Sequence, residues 1–148
     1  MILPDVNLLL YATDAEAPLH KKARQWLEEL LAGPEMVAFS WSTVLAFLRI
    51  STSRSAFRAP LSIEIALDVV ATWLDHPSVM LVHAGPKHFL ILRELLVGAG
   101  AGGNLTSDAH LAALAIEHSA TLCSADRDFG RFPRLHWLNP LERNRLKQ

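Results

Sequence analysis

MILPDVN, residues 1–7, joins a short apolar run directly to an aspartate. Comparable runs that lack polar alternation recur at 36–39, 79–82, 120–123 and 135–138. Such runs are typical of strands that helices cover on both faces of a parallel sheet. The sequence therefore predicts a parallel sheet of four to five strands.

Between these runs the apolar residues follow the period of a helix. The clearest stripe extends from Leu19 to Leu31, begins after Pro18 and ends at Gly33-Pro34. Further stripes lie within 44–48, 63–74, 89–96 and 111–118. Strands that alternate with helices predict an α/β domain of three layers, α/β/α, around the central sheet.

Composition limits the function classes that the chain can belong to. Its 148 residues are 51% hydrophobic and carry a formal net charge of -1. This length predicts a single domain, 1–148, with a polar tail at 142–148 that is expected to be frayed. Because the chain has no basic excess, any contact with nucleic acid must be local. Cys123 is the only cysteine, and no secretion signal or membrane-spanning stretch is visible, so the expected location is the cytoplasm.

Four aspartates stand where an open parallel sheet is expected to bind a ligand. Asp5 follows the first predicted strand, Asp126 and Asp128 follow the fourth, and Asp108 falls in the opening turn of a helix. Ligands bind outside the carboxyl ends of the strands in such sheets, so these carboxylates are expected to meet at one edge. Clustered carboxylates repel one another unless they bind a cation or accept protons. The sequence therefore predicts a site for Mg²⁺ or Mn²⁺ that could activate a water against a phosphodiester.

Each of these acids also has an ordinary structural interpretation. Taken singly, Asp108 is more often a helix cap or a partner of the helix dipole than a catalytic group. Asp126 and Asp128 could equally form a turn and the start of a helix. Asp5 is the exception, since no capping role requires an acid at that position.

Four segments together carry a resemblance to a known family. They are MILPDVNLLLY at 1–11, FLRI at 47–50, GNLTSDAHLAALA at 103–115 and ATLCSADRDF at 120–129. In order and spacing they closely resemble the PIN-domain family, in particular the VapC toxins of bacterial toxin-antitoxin pairs. The resemblance implies a metal-dependent endoribonuclease that is neutralised by a cognate VapB-type antitoxin and is usually a homodimer.

The resemblance also assigns roles to residues. By position, Asp5, Asp108 and Asp126 would be catalytic metal ligands, and Asp128 would stand at the edge of the site. The family commonly has a glutamate on the helix after its second strand, and here Ala46 occupies that place. The site has therefore lost one ligand or recruited another, which we interpret as subfamily variation that weakens metal affinity.

Several polar residues are expected to act around the acids. Asn7, Ser40 and Asn104 are expected to support the site, although a helix N-cap at Ser40 and a turn at Asn104 are open alternatives. The basic cluster consists of Arg49, Arg54 and Arg58. It could guide RNA phosphates towards the acids, or it could be a solvated helix end.

Two other functions compete with a ribonuclease. A phosphohydrolase of the haloacid-dehalogenase kind also has an aspartate after its first strand, but it needs a second acid two residues later, where this chain has Asn7. A binding module with weak or no catalysis stays open because of Ala46. Trapping an aspartyl-phosphate on Asp5 would favour the phosphohydrolase over the ribonuclease.

Overall fold

The computed structural model describes residues 1–142, so the predicted frayed tail lies outside the described residues except for Glu142. The strands are β1 (Ile2–Pro4), β2 (Val37–Phe39), β3 (Val79–Leu81), β4 (Thr121–Cys123) and β5 (Trp137–Leu138). The α-helices are α1 (Val6–Thr13), α2 (His20–Ala32), α3 (Trp41–Ser51), α4 (Ile63–Leu74), α5 (His88–Ala99) and α6 (Leu105–Glu117). A 3₁₀ helix, Arg127–Arg131, separates β4 from β5.

The five strands form one parallel sheet in the order β3-β2-β1-β4-β5. Ile2 pairs with both Val37 and Thr121, which places β1 between β2 and β4. The predicted three-layer α/β fold with a parallel sheet is thereby confirmed. Because parallel strands end at the same edge, the residues that follow β2, β1 and β4 lie side by side there.

Helices cover both faces of the sheet and bury it. On one face Phe39 of β2, Phe47 of α3 and Trp73 of α4 pack together, with ring centroids 6.0 Å apart for Phe39–Trp73 and 4.8 Å for Phe47–Trp73. On the other face Leu3 and Leu122 belong to a cluster that α5 and α6 complete. Burial of both faces explains why the strands are apolar without alternation.

One helix, α1, is absent from the set that the sequence predicts. It follows β1 directly and buries Leu8 and Leu9. The three consecutive leucines at 8–10 hide the helical period, because a short helix that is apolar on most of its surface shows no polar face. Within residues 1–142, no helix has the length and hydrophobicity needed to cross a membrane.

Candidate active site

Asp5 stands at the carboxyl end of the central strand and begins α1. Its Oδ1 accepts a hydrogen bond of 2.7 Å from the backbone N–H of Val6, so it is the N-cap of α1. The expectation that Asp5 has no capping role was wrong, because it overlooked this helix. Burial raises the pKa of Asp5, and its hydrogen bonds with Ser124 and Val6 only partly offset that rise.

Ser124, the first residue after β4, links the ends of the two strands. Its buried hydroxyl donates a bond of 2.7 Å to Oδ2 of Asp5. The Oγ of Ser124 also accepts bonds from Asn7 Nδ2 at 3.1 Å and from the backbone N–H of Asp126 at 3.0 Å. One donated and two accepted bonds use the full capacity of a hydroxyl. Ser124 therefore fixes the orientation of Asp5.

Asn7 is the second residue that supports this junction. Besides the bond to Ser124, its Oδ1 accepts a bond of 3.4 Å from the backbone N–H of Ala125. The side chain thus joins α1 to the loop after β4. This placement is consistent with the supporting role that the sequence suggested. Position 7 thus carries an amide, where the haloacid-dehalogenase alternative needs an acid.

Asp126 and Asp128 lie at the start of the 3₁₀ helix. Oδ1 of Asp126 accepts a bond of 2.9 Å from the backbone N–H of Asp128, which makes Asp126 the cap of that helix. Asp128 is exposed, and it belongs to the helix rather than to the strand end. Asp126 and Asp128 therefore form the cap and first turn of a helix, as the structural interpretation expected. A capping role does not exclude either carboxylate from the acidic site.

Asp108 lies in the first turn of α6 and is half-buried. Its pKa is raised to about 6, first by burial and then by the negative charges of Asp126, Asp5 and Asp128, in that order. The guanidinium of Arg131 partly offsets the rise. The structure thus brings all four predicted acids close enough for Asp108 to be affected by the other three.

A cavity of about 340 Å³, called the acidic cavity below, opens beside Asp5 and Asp108. Asp5 and Asp108 line it together with Ser42, Ala46 and Arg49 of α3. A glutamate at position 46 would therefore face the same space as the two aspartates. A larger cavity of about 680 Å³, lined by Tyr11 and Phe57 among others, contains none of the four acids.

Of the other predicted site residues, some lie at the acidic cavity and others lie away from it. Ser40 is buried and caps α3, accepting a bond of 3.2 Å from the backbone N–H of Thr43, so the N-cap alternative holds. Asn104 precedes α6 and makes no side-chain capping bond. Arg54 is exposed in the turn after α3, and Arg58 lies 4.0 Å from Glu16 at the larger cavity. Only Arg49 of the basic cluster lines the acidic cavity.

Two residues of this site, Ser124 and Arg131, were not among the site residues predicted from the sequence. Ser124 could have been noticed, since it directly follows a predicted strand. No sequence pattern marked Arg131, because its position beside Asp108 depends on the path of the 3₁₀ helix.

The donor set at this edge fits a hard divalent cation in its chemistry. Carboxylate and hydroxyl oxygens are the ligands that Mg²⁺ and Mn²⁺ prefer, and none of the four aspartates forms an ion pair within the described chain. In residues 1–142, however, no three side chains of His, Cys, Asp or Glu are placed to hold one metal ion together. The acids are neighbours, and binding would require their side chains to draw closer.

Comparison with protein families identifies the family of the chain. The model of the family described as the PIN domain matches residues 2–135, which is nearly the whole chain. The chain therefore belongs to the PIN-domain family.

Within that family, individual relatives are similar over almost their full length. The chain is 44% identical to ribonuclease VapC37 of Mycobacterium tuberculosis over 140 residues, covering 95% of this chain and 97% of the relative. It is 41% identical to ribonuclease VapC33 of the same species over 141 residues, covering 95% and 99%. The resemblance to VapC proteins that the motifs suggested is thereby confirmed.

Solved structures show the same fold at lower sequence identity. VapBC2 from Rickettsia felis, bound to a DNA fragment from its promoter, gives a TM-score of 0.69 at 23% identity, with 94% of this chain and 98% of that chain covered. VapC20 of Mycobacterium tuberculosis, described as a toxin that cleaves the sarcin-ricin loop, gives 0.68 at 18%, with 92% and 98% covered. At these identities the likeness concerns the fold alone.

Proposed function

We propose that the chain is a divalent-metal-dependent endoribonuclease and the toxin of a VapBC-type toxin-antitoxin pair. The observation that carries the proposal is the meeting of four carboxylates beside a cavity that Asp5 and Asp108 line. Burial and, after it, the charges of the other three acids raise the pKa of Asp108 to about 6. Such a cluster is unfavourable unless it serves to bind a cation. The names of the similar proteins, ribonucleases VapC37 and VapC33, support RNA as the substrate.

Asp5, Asp108 and Asp126 would hold Mg²⁺ or Mn²⁺, with Asp128 at the edge. When bound, the ion would activate a water and neutralise charge that develops on the phosphate. The reaction adds this water across one P–O bond of the RNA backbone and releases two shorter strands.

The chain's own residues prepare the site before substrate arrives. Ser124 holds Oδ2 of Asp5 through its hydrogen bond of 2.7 Å, and Asn7 holds Ser124 in turn. A carboxylate fixed in this way loses little freedom when it binds a cation. Arg49, which lines the cavity from α3, would bind an RNA phosphate.

Ala46 makes this site poorer in ligands than the family pattern. Since its methyl group lines the acidic cavity, the missing glutamate leaves space that water could fill. Fewer charged ligands weaken the binding of a hard cation. We therefore expect activity that needs a higher Mg²⁺ concentration rather than a site without activity.

A VapB-type antitoxin and a second copy of the chain are the proposed protein partners, in the cytoplasm. The solved structures of similar fold include VapBC complexes. On this chain, α5 leaves Phe89, Leu90 and Val97 exposed, and an apolar surface of this kind is typical of a face that another chain covers. Sedimentation of the purified chain, alone and with the antitoxin, measures both associations.

The test is cleavage of RNA by the purified chain in the presence of Mg²⁺ or Mn²⁺. Asp5→Asn and Asp108→Asn should each lower the rate at least about 100-fold, because each removes a proposed ligand. Asp68→Asn is the matched control, since Asp68 is exposed on α4 and does not line the acidic cavity. A wild-type chain that cleaves no RNA, or an Asp5→Asn variant that cleaves normally, contradicts the proposal and favours a binding module.

The haloacid-dehalogenase alternative has no support from the site. That mechanism needs a second acid two residues after Asp5, and Asn7 occupies this place, where it bonds to Ser124. The chain also belongs to a different family.

A further inference from the structure

Three arginines follow one another at and after the 3₁₀ helix, and two of them are engaged. Arg127 contacts Glu142 at 3.0 Å, and Arg134 contacts Glu94 at 2.6 Å. Arg131, between them, is exposed and belongs to none of the ion pairs or side-chain hydrogen bonds of the described residues. Its guanidinium is therefore available to an anion from outside.

The 3₁₀ helix aligns Arg131 with one of the four acids. Residues three apart lie on the same face of such a helix, so Arg131 is aligned with Asp128. Both side chains act on Asp108, where Asp128 raises the pKa of the carboxyl and Arg131 lowers it. Arg131 thus lies beside the acidic site without closing an ion pair across it.

The strand order places a second arginine on the other side. β1, which ends at Asp5, lies between β2 and β4. α3 follows β2 and carries Arg49, which lines the acidic cavity, whereas the 3₁₀ helix follows β4 and carries Arg131. The two arginines are therefore carried by elements on opposite sides of the central acid.

We propose that Arg131 binds a backbone phosphate of the RNA beside the acidic cavity, so that Arg49 and Arg131 hold the strand from both sides of Asp5. This proposal rests on the proposed function. A planar guanidinium can donate two parallel hydrogen bonds to a phosphate, which fixes its orientation as well as its position. It also supplies the local positive charge that a chain with a net charge of -1 needs in order to hold RNA.

The proposal separates the effect of Arg131 on RNA from its effect on the metal. Removing a cation from beside the carboxylates lessens repulsion of Mg²⁺, so Arg131→Ala should bind Mg²⁺ as tightly as the wild type or more tightly. The same change should weaken RNA binding. A residue that merely supported the shape of the site would weaken both.

The experiment measures RNA binding by fluorescence anisotropy in an Asp5→Asn background, where proposed cleavage is blocked. Arg131→Ala should lower the affinity about tenfold and make the salt dependence shallower by about one unit of slope. Arg131→Lys should recover part of that affinity, because it keeps the charge but not the planar fork. Arg127→Ala and Arg134→Ala are the matched controls, and they should bind RNA like the parent.

Titration of the Asp5-intact variants with MgCl₂ in a calorimeter supplies the second measurement. RNA binding by Arg131→Ala that equals Arg127→Ala, no RNA binding by the parent, or a parallel loss of Mg²⁺ affinity would each overturn the proposal. Cleavage by the wild-type chain tests the proposed ribonuclease function separately. If the wild type cleaves no RNA, that function fails, and the binding comparison still decides the role of Arg131.

Discussion

Asp108→Asn should make the metal-free protein more stable at neutral pH while it abolishes the proposed activity. The ordinary pKa of the carboxyl is 3.8, and in the folded chain it is raised to about 6 by burial and by the charges of Asp126, Asp5 and Asp128. Because the folded-state pKa is the higher one, the folded protein binds this proton more tightly. The contribution to stability is fully present below pH 3.8 and is lost as the pH rises through about 6.

The size of the effect follows from that shift. A shift of about two pKa units corresponds to at most about 3 kcal/mol. Since Asp108 is only half-buried, solvent screening should leave about half of this. Asparagine has nearly the same shape without the charge, and it loses an interaction with the helix dipole of about 0.5 kcal/mol. The net gain is therefore about 1 kcal/mol at pH 7, or roughly 2–4 °C in melting temperature.

Thermal unfolding in EDTA, followed by circular dichroism from pH 4 to pH 8, measures this gain. The difference between Asp108→Asn and wild type should be largest at pH 7–8 and close to zero at pH 4. Added MgCl₂ should stabilise the wild type and leave the variant nearly unchanged. The exposed Asp68→Asn serves as the control for a change of net charge. If Asp108→Asn melts lower than wild type at pH 7, or if its advantage does not depend on pH, the argument from burial and carboxylate repulsion is refuted.

Three further substitutions test other parts of the structure. Ser124→Ala should lower the free energy of unfolding by about 1–3 kcal/mol in urea and reduce RNA cleavage about 10–100-fold, because Asp5 and Asn7 lose a shared partner. Ser55→Ala on the surface is its control, and an unaltered rate of cleavage by Ser124→Ala would contradict the positioning role. Ala46→Glu should lower the Mg²⁺ concentration needed for half-maximal cleavage, whereas the uncharged Ala46→Gln should not. Equal behaviour of the two variants would show that a charge at position 46 does not affect Mg²⁺ binding. Phe47→Ala should destabilise the fold by about 3–5 kcal/mol in the same urea assay, since the ring is fully buried against Trp73. A loss below about 1 kcal/mol would mean that α3 and α4 close the space left by the missing ring.

The strands were predictable because burial on both faces leaves a direct record in the sequence. All five apolar runs correspond to strands, although the last is reduced to Trp137–Leu138. Helix α1 was not predictable in the same way, since its three consecutive leucines at 8–10 carry no amphipathic period. That omission explains the wrong expectation for Asp5, whose capping role exists only because α1 begins at the next residue.

The site was predictable in its acids but not in the contacts that organise them. Asp5 and Asp108 could be selected because a strand end and a helix start are local features of the sequence. The bonds that join Asp5 and Asn7 to Ser124 connect residues more than a hundred positions apart, and only the β1–β4 pairing brings them together. Arg131 depends likewise on the path of the 3₁₀ helix. Long-range placement of this kind leaves no period or motif in a single sequence.

The acids are also unequal in how firmly the fold holds them. Both oxygens of Asp5 already accept hydrogen bonds, from Val6 and Ser124, so its orientation is fixed before any cation binds. Asp108 has no such restraint among the hydrogen bonds of residues 1–142, and its pKa is raised by burial and then by the charges of the other carboxylates. In the proposed site Asp5 is therefore the preorganised ligand, and Asp108 is the one whose side chain must move towards the ion. The repulsion among the carboxylates, which adds to the cost of burying Asp108 in the metal-free protein, is thus the interaction that a bound cation would relieve.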